Sequence, residues 1–197
     1  MTDNSKKLYF ASSNENKFQE IKCLIPKENN LKIEFFKIDV KEIQSESIME
    51  VAEDKAKKAY NFIKNPLIIE DDGLFITGLN GFPGVYSSFV FKTVGNQGIL
   101  KLLEENKNRK AKFVSVFSFF NGKIIKSFTG ENIGSISLEI ESGGWGFDPI
   151  FKPENELRTY AQLGMQDKIK ISHRTKALKK FLQWYFKEYD NSSMAFV

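Results

Sequence analysis

The sequence predicts an α/β fold in which a central mixed sheet is flanked by helices on both sides, with a cleft between two lobes. Three observations predict it. Short apolar runs alternate with amphipathic helical stretches through the first 70 residues, the pattern of strands covered by helices. Asn121-Gly122 joins two alternating segments and reads as an antiparallel hairpin. A helical pattern then closes the chain after a glycine- and proline-rich stretch.

Leu8 to Ala11 is a short buried strand that runs into the polar turn SSNEN. Asn16, with Gln19 three residues on, resembles a capping box and starts a helix from about Lys17 to Ile25, ended by Pro26 and KENN. Leu31 to Ile38 alternates as a second strand. Met49 to Ile63 carries Val51, Ala52, Ala56, Ala59, Tyr60 and Ile63 at helical spacing, a surface helix broken by Pro66. Leu67 to Ile69 forms a buried strand that ends at Glu70-Asp71-Asp72-Gly73. The turn-rich LNGFPGVYSSF follows, then a helix near Gly98 to Glu105. Lys112 to Phe120 pairs with Lys123 to Phe128, a further strand covers Ile133 to Ile140, and a last helix covers Arg174 to Glu188. Residues 1–190 read as a single two-lobed domain, and residues 191–197 as a flexible tail.

Composition removes several chemistries. Cys23 is the only cysteine and His173 the only histidine, so an intrachain disulfide, cysteine zinc clusters and multi-histidine metal sites are excluded. Cys23 reads as a partly buried helical residue. Any metal is held mainly by oxygen, which favours magnesium, with manganese as a substitute. The net charge is +4, and only three of the 29 basic residues are arginine. That balance fits an anionic small molecule better than sequence-specific nucleic acid. No apolar run reaches the length of a bilayer span and the start MTDNSKK is no secretory signal, so no membrane partner is expected and the protein is expected in the cytoplasm.

Four segments carry chemistry. Ser12, Ser13, Asn14, Glu15, Asn16 and Lys17 lie between a strand end and a helix start, where free backbone N–H groups receive phosphate. No Walker A loop occurs. In Glu70-Asp71-Asp72 three carboxylates repel one another, a cost relieved by a cation or by protonation. If the strand continues, alternation sends Glu70 and Asp72 one way and Asp71 the other. Trp145, Gly146, Phe147 and Asp148 set aromatic faces among glycines, as base stacking needs, with an acid to read base-edge donors. Lys168 precedes Ser172-His173-Arg174, where Ser172 is a natural N-cap and the arginine suits a phosphate or a base carbonyl. Taken singly, each segment also reads as an ordinary loop, acidic turn, aromatic turn or helix start.

Together and in this order the segments resemble the inosine/xanthosine triphosphate pyrophosphatase family. Its TGNxxK loop is matched by Ser12 to Lys17, and its ExNAxxKA helix by Glu53 to Ala59. Its (E/D)D(S/T)GL strand end and LxGxPGxYS run are matched by Glu70 to Leu74 and Leu79 to Ser87. Its GFGYDPIF segment is similar to Gly144 to Phe151, and its K-xxx-SHRxxAL ending to Lys168 and Ser172 to Leu178. The likeness spans Tyr9 to Leu178.

The resemblance implies an elongated α/β fold with a cleft between lobes, commonly a homodimer. It implies hydrolysis of non-canonical purine nucleoside triphosphates (ITP, dITP, XTP) to monophosphate and pyrophosphate. Residues Ser12 to Lys17 and Lys58 would hold the triphosphate. Glu46, twelve residues before Lys58, would bind magnesium with Asp71, and Asp71 would act as general base. Trp145 to Asp148, Lys168, His173 and Arg174 would hold base and ribose, with His173 and Arg174 as donors to the purine O6. Three departures stand out: Ser13 replaces the loop glycine, Asp54 an asparagine, and Asp72 a hydroxyl residue on the substrate side. A pyrimidine-directed pyrophosphatase should lack the SHRxxAL ending. A non-catalytic nucleotide- or RNA-binding module would not need Glu46, Glu70, Asp71 and Lys17 together.

Overall fold

The computed structural model describes residues 6–25 and 31–189, so Pro26, the KENN stretch and the expected tail lie outside the described residues. β1 (Lys6–Ser12) leads through the polar turn into α1 (Glu15–Lys22). Asn14, not Asn16, is the N-cap, and its side chain accepts from Asn16 N at 3.0 Å. The helix therefore starts two residues earlier than the capping-box reading. Cys23 is its C-cap and is exposed, not partly buried.

β2 (Leu31–Lys37) pairs in parallel with β1. α2 (Ile48–Ile63) buries Val51, Ala52, Ala56, Ala59 and Ile63 along one face, the spacing that marked it in sequence. β3 (Leu67–Ile76) does not stop at the acidic residues but continues through them. Its partners explain this: β1 pairs with its start in parallel, β5 (Lys110–Phe120) pairs antiparallel with all ten residues, and β4 (Pro83–Gly84) pairs with its end. The unbroken β5 ladder carries the strand through residues 70–72, and the neighbouring carboxylates find cations.

The turn-rich stretch contains a helix that was not expected, α3 (Ser87–Thr93), followed by α4 (Gly95–Leu102). The expected strands at 123–128 and 133–140 are one long strand, β6 (Ile125–Ile136), paired along β5. β7 (Phe151–Pro153) closes the sheet, whose order is β2-β1-β3-β5-β6-β7 with β4 on β3. α5 (Tyr160–Ile171) was not anticipated, and Gly164 interrupts it with φ 69°. α6 (His173–Trp184) begins one residue early and passes into a single wide turn at Tyr185–Tyr189.

Strand parity sorts the core into layers. Leu8, Phe10, Ile68, Phe117 and Phe119 face α1 and α6, while Ala11, Leu67, Ile69 and Val116 face α2. A third cluster, with Leu74, Ile76, Phe113, Phe151 and Tyr160, fills the second lobe under α3, α4 and α5. Burial of this apolar area is the main driving force for the fold. Gly130 sets the seat of α6: a Cβ there would stand 2.3 Å from both Ala177 N and His173 O, so only glycine lets the helix lie on β6.

Candidate functional site

Every side chain singled out in the sequence, except Glu15, Glu46 and Lys58, lines one cleft of about 340 Å3 between the lobes. That volume lies within the usual range for small-molecule sites. The parity of β3 builds its floor. Even-numbered residues face α1 and α6, so Glu70 and Asp72 project toward Lys17 and Arg174. Odd-numbered Asp71 projects toward α2, where Lys55 Nζ lies 3.4 Å from its Oδ2. A period of two separates the three acids into two chemical settings.

On the first face Lys17 Nζ sits 3.0 Å from Glu70 Oε2 and 3.0 Å from Asp72 Oδ1. Burial lowers its pKa, but the Asp72 and Glu70 carboxylates outweigh that and raise it. Glu70 also accepts from Ser115 Oγ at 2.6 Å and is buried in the cleft floor. Arg174 is 1% exposed, and each of its three nitrogens meets a different carboxylate: Nε on Glu70 at 3.2 Å, Nη1 on Glu20, Nη2 on Asp72. Burial disfavours the cation, but Glu70, Glu20 and Asp72 hold its pKa well above the ordinary value. Three of the five N–H donors of Arg174 are thus engaged by acids of the protein itself, before any purine O6 is met.

Glu20 was not singled out, yet it ties the site together. It accepts from the Trp145 indole Nε1 at 2.8 Å and from Lys168 Nζ at 2.6 Å, besides Arg174. Burial opposes its charge, but Arg174 and Lys168 prevail and lower its carboxyl to about 2. Its signal in sequence was its place on α1, one helical turn beyond Lys17, which alone distinguishes no function.

At the aromatic end Gly143, Gly144 and Gly146 all have positive φ, which only glycine adopts without strain. They turn the loop so that Trp145 faces Lys168 and Arg174, whose charged groups stand 4.9 and 5.2 Å from its ring centroid. Lys168 Nζ also meets Asp148 Oδ2 at 2.7 Å. Burial raises the Asp148 pKa against the pull of Lys168. His173 stacks on Phe113 with centroids 4.5 Å apart and planes 9° apart. Its ring nitrogens are buried without a hydrogen-bond partner, the nearest acid being Asp72 Oδ2 at 3.6 Å from Nε2. Burial lowers its pKa and keeps it neutral. The single N–H of a neutral imidazole can therefore serve either Asp72, just beyond hydrogen-bond distance, or a ligand acceptor.

The α2 side departs from the expected assignment. Glu46 is exposed outside the cleft. Lys58 pairs with Asp54 at 2.6 Å on the helix surface and donates to Lys41 O at 3.0 Å. In their places stand Glu42 and Lys55, with Lys55 Nζ 2.7 Å from Glu42 Oε1. The helix motif read three residues earlier, Glu50 to Ala56, puts its lysine at Lys55. A three-residue slip turns a helix by only about 60°, so periodicity cannot choose between the registers.

As a whole the cleft is lined by six carboxylates and five cations, with Asp39 and Lys92 completing the set. Fold and cleft place the chain among mixed α/β proteins with a charged small-molecule cleft between two lobes. The chain belongs to the Ham1 family, whose model matches residues 8–184. It is 47% identical over 181 residues to a dITP/XTP pyrophosphatase of Methanopyrus kandleri, covering 91% of this chain and 96% of that protein. The dITP/XTP pyrophosphatase of Korarchaeum cryptofilum is 44% identical, with 90% and 95% covered. Among solved structures, the Staphylococcus aureus Ham1 protein superposes with a TM-score of 0.79 at 28% identity, covering 93% of this chain and all of that one. A Coxiella burnetii HAM1 protein gives 0.76 at 31% identity, with 89% and 95% covered.

Proposed function

We propose that this protein is a nucleoside triphosphate pyrophosphohydrolase that removes non-canonical purine nucleotides, ITP, dITP and XTP, as monophosphate and pyrophosphate. The observation that carries the reading is a single cleft joining the loop of residues 12–17 and Asp71 to an aromatic, histidine-bearing end. It is supported by relatives named dITP/XTP pyrophosphatases that this chain matches nearly end to end.

The phosphate chain lies at the start of α1, where backbone N–H groups and the helix dipole favour anions, with Lys17 and Lys55 beside it. Magnesium fits the donor set: Glu42 and Asp71 already share one cation, the Lys55 ammonium. Among the described residues no cluster of three or more acid, histidine or cysteine ligands exists. That matches an ion held by one or two carboxylates plus substrate phosphates. When bound, the ion supplies charge neutralisation to the phosphate oxygens and the leaving pyrophosphate. Asp71 orients the attacking water and takes its proton. Burial raises the Asp71 pKa against the pull of Lys55 and Lys17, which makes the carboxylate a stronger base.

The base stacks at Trp145 and Phe147, and His173 donates to the purine O6. Adenine carries an amino group there, leaving the buried imidazole N–H unpaired, which disfavours it. Arg174 and Glu20 position this end without touching substrate. The assembly is a homodimer, read from the family resemblance and tested by light scattering. No described helix is long and apolar enough to cross a membrane, and cytoplasmic residence is part of the same reading.

A panel of nucleoside triphosphates assayed with magnesium for pyrophosphate release tests the function. ITP, dITP and XTP should exceed ATP and GTP. Orthophosphate as primary product, or ATP turned over as fast as ITP, overturns the reading.

A further inference from the structure

Ser87, at the start of α3, donates its hydroxyl to Gly84 O at 2.7 Å and accepts from Leu74 N at 2.8 Å. These bonds fix α3 against β3, two residues beyond Asp72. Further along the helix, Phe91 packs edge-on against Phe147 with centroids 5.5 Å apart. The helix therefore runs from the acidic strand to the aromatic loop as one wall of the cleft. Ser88, Phe91 and Lys92 line it from that wall, and Ser88 and Lys92 share a helix face at i, i+4 spacing.

Lys92 differs from the other cleft cations. Lys17 is held by Glu70 and Asp72, Lys55 by Glu42 and Asp71, and Lys168 by Glu20 and Asp148. Arg174 is held by three acids. Among the described residues, Lys92 is the one cleft cation with no carboxylate partner, and its side chain is exposed. The other four cations balance the acids around them and leave little charge for an incoming polyanion. With six carboxylates against five cations, a triphosphate entering this cleft needs positive charge that is not already committed.

We infer that Lys92 is a substrate-positioning residue whose ammonium meets the phosphate chain from the α3 wall. This rests on the pyrophosphatase reading of the cleft. A lysine suits the task, being a compact point charge on a flexible four-carbon stem that follows the phosphates without fixed geometry. The contact is independent of the base.

Inorganic tripolyphosphate with magnesium, which carries no base, is the probe. Binding is measured by calorimetry on wild type, Lys92→Gln and Lys92→Arg, alongside KM and kcat for ITP and ATP. Lys92→Gln should weaken tripolyphosphate binding and raise both KM values about tenfold, the scale of one charge-assisted hydrogen bond. The loss should shrink at high salt, Lys92→Arg should restore most of it, and the melting temperature should not move. Unchanged tripolyphosphate binding overturns the inference, whether KM stays level or only the ITP-to-ATP ratio shifts. Wild type that binds tripolyphosphate but releases no pyrophosphate from any nucleotide sinks the functional reading instead, and the calorimetry still decides Lys92.

Discussion

Trp145 donates its indole N–H to Glu20 Oε1 at 2.8 Å, joining a glycine-turned loop to α1 across 125 residues of sequence. The helix that opens after the loop of residues 12–14 thereby carries the acid that holds the aromatic end. Lys168 and Arg174 meet the same carboxylate, so one acid of α1 ties down three groups of the aromatic end.

Glu20→Ala should lower stability by about 3 kcal/mol, because it takes one acid away from two buried cations and leaves Lys168 with Asp148 alone and Arg174 with Glu70 and Asp72. The linkage has a definite sign. Burial works against the charge, but Arg174 and Lys168 bring the Glu20 pKa down from 4.5 to about 2. The stabilisation, roughly 3 kcal/mol, is fully present above pH 4.5 and lost as pH falls through 2. Denaturant melts of wild type and variant from pH 6 down to 2 should therefore converge at the acid end. A constant gap between them would show that Glu20 acts through packing and not through charge.

Asp71→Asn should cut kcat by about 100-fold while leaving KM within a few-fold, since a base acts in the transition state. Without a bound ion, burial raises the Asp71 pKa, and a bound cation lowers it, so activity should rise as the carboxyl deprotonates and the acid limb should move to higher pH as magnesium is reduced. Near-normal kcat in the asparagine variant would remove Asp71 from the chemistry.

Activity should vanish with chelator and return with magnesium. Glu42→Gln should raise the magnesium concentration needed for half-maximal activity about tenfold or more, whereas Glu46→Gln should not change it. Lys55→Met should cost about 10- to 100-fold in kcat/KM, the range of hydrogen bonds to charged groups, and Lys58→Met should fall within about twofold of wild type. The reverse ranking in either pair would restore the assignment that the cleft geometry displaces.

His173→Ala should shrink the ITP-to-ATP ratio of kcat/KM by about 1–3 kcal/mol, the cost of leaving one buried polar group unpaired. The circular dichroism spectrum should be retained, because the ring makes no hydrogen bond inside the protein. A ratio that stays constant while both substrates slow equally would move His173 to the phosphate side.

Much of the fold was legible in advance because burial imposes a period. α2 is visible in the spacing of Val51, Ala52, Ala56, Ala59 and Ile63, and β5 in the alternation of KFVSVFSFF. What was missed lacked a period of its own. β3 was cut short because carboxylates are poor strand formers in isolation, and β6 was split where Thr129 and Gly130 interrupt the alternation. α5 went unseen because Gly164 breaks its helical run. The cleft residues were legible where a charged or aromatic residue sat beside a turn or a helix start, as at Lys17, Asp71, Trp145 and His173. Glu20 and Lys92 lie inside helices, and Glu42 in an irregular stretch before α2, so no local signal separates them from surface charge.

By itself the sequence determined the chemical inventory and the local frames. With one cysteine and one histidine, any metal site had to be built mainly from oxygen, and alternation set Asp71 against Glu70 and Asp72 on the condition that the strand ran through them. Only the tertiary structure decided which of two lysines on α2 enters the cleft, and that Arg174 meets three acids while His173 stacks on Phe113. The physical reason is that local periodicity specifies the direction of a side chain about its own element. Which cation reaches which carboxylate depends on how α1, α2, α3 and α6 are laid against the sheet, and that is settled by close packing, such as the seat of α6 on Gly130, between residues distant in the chain.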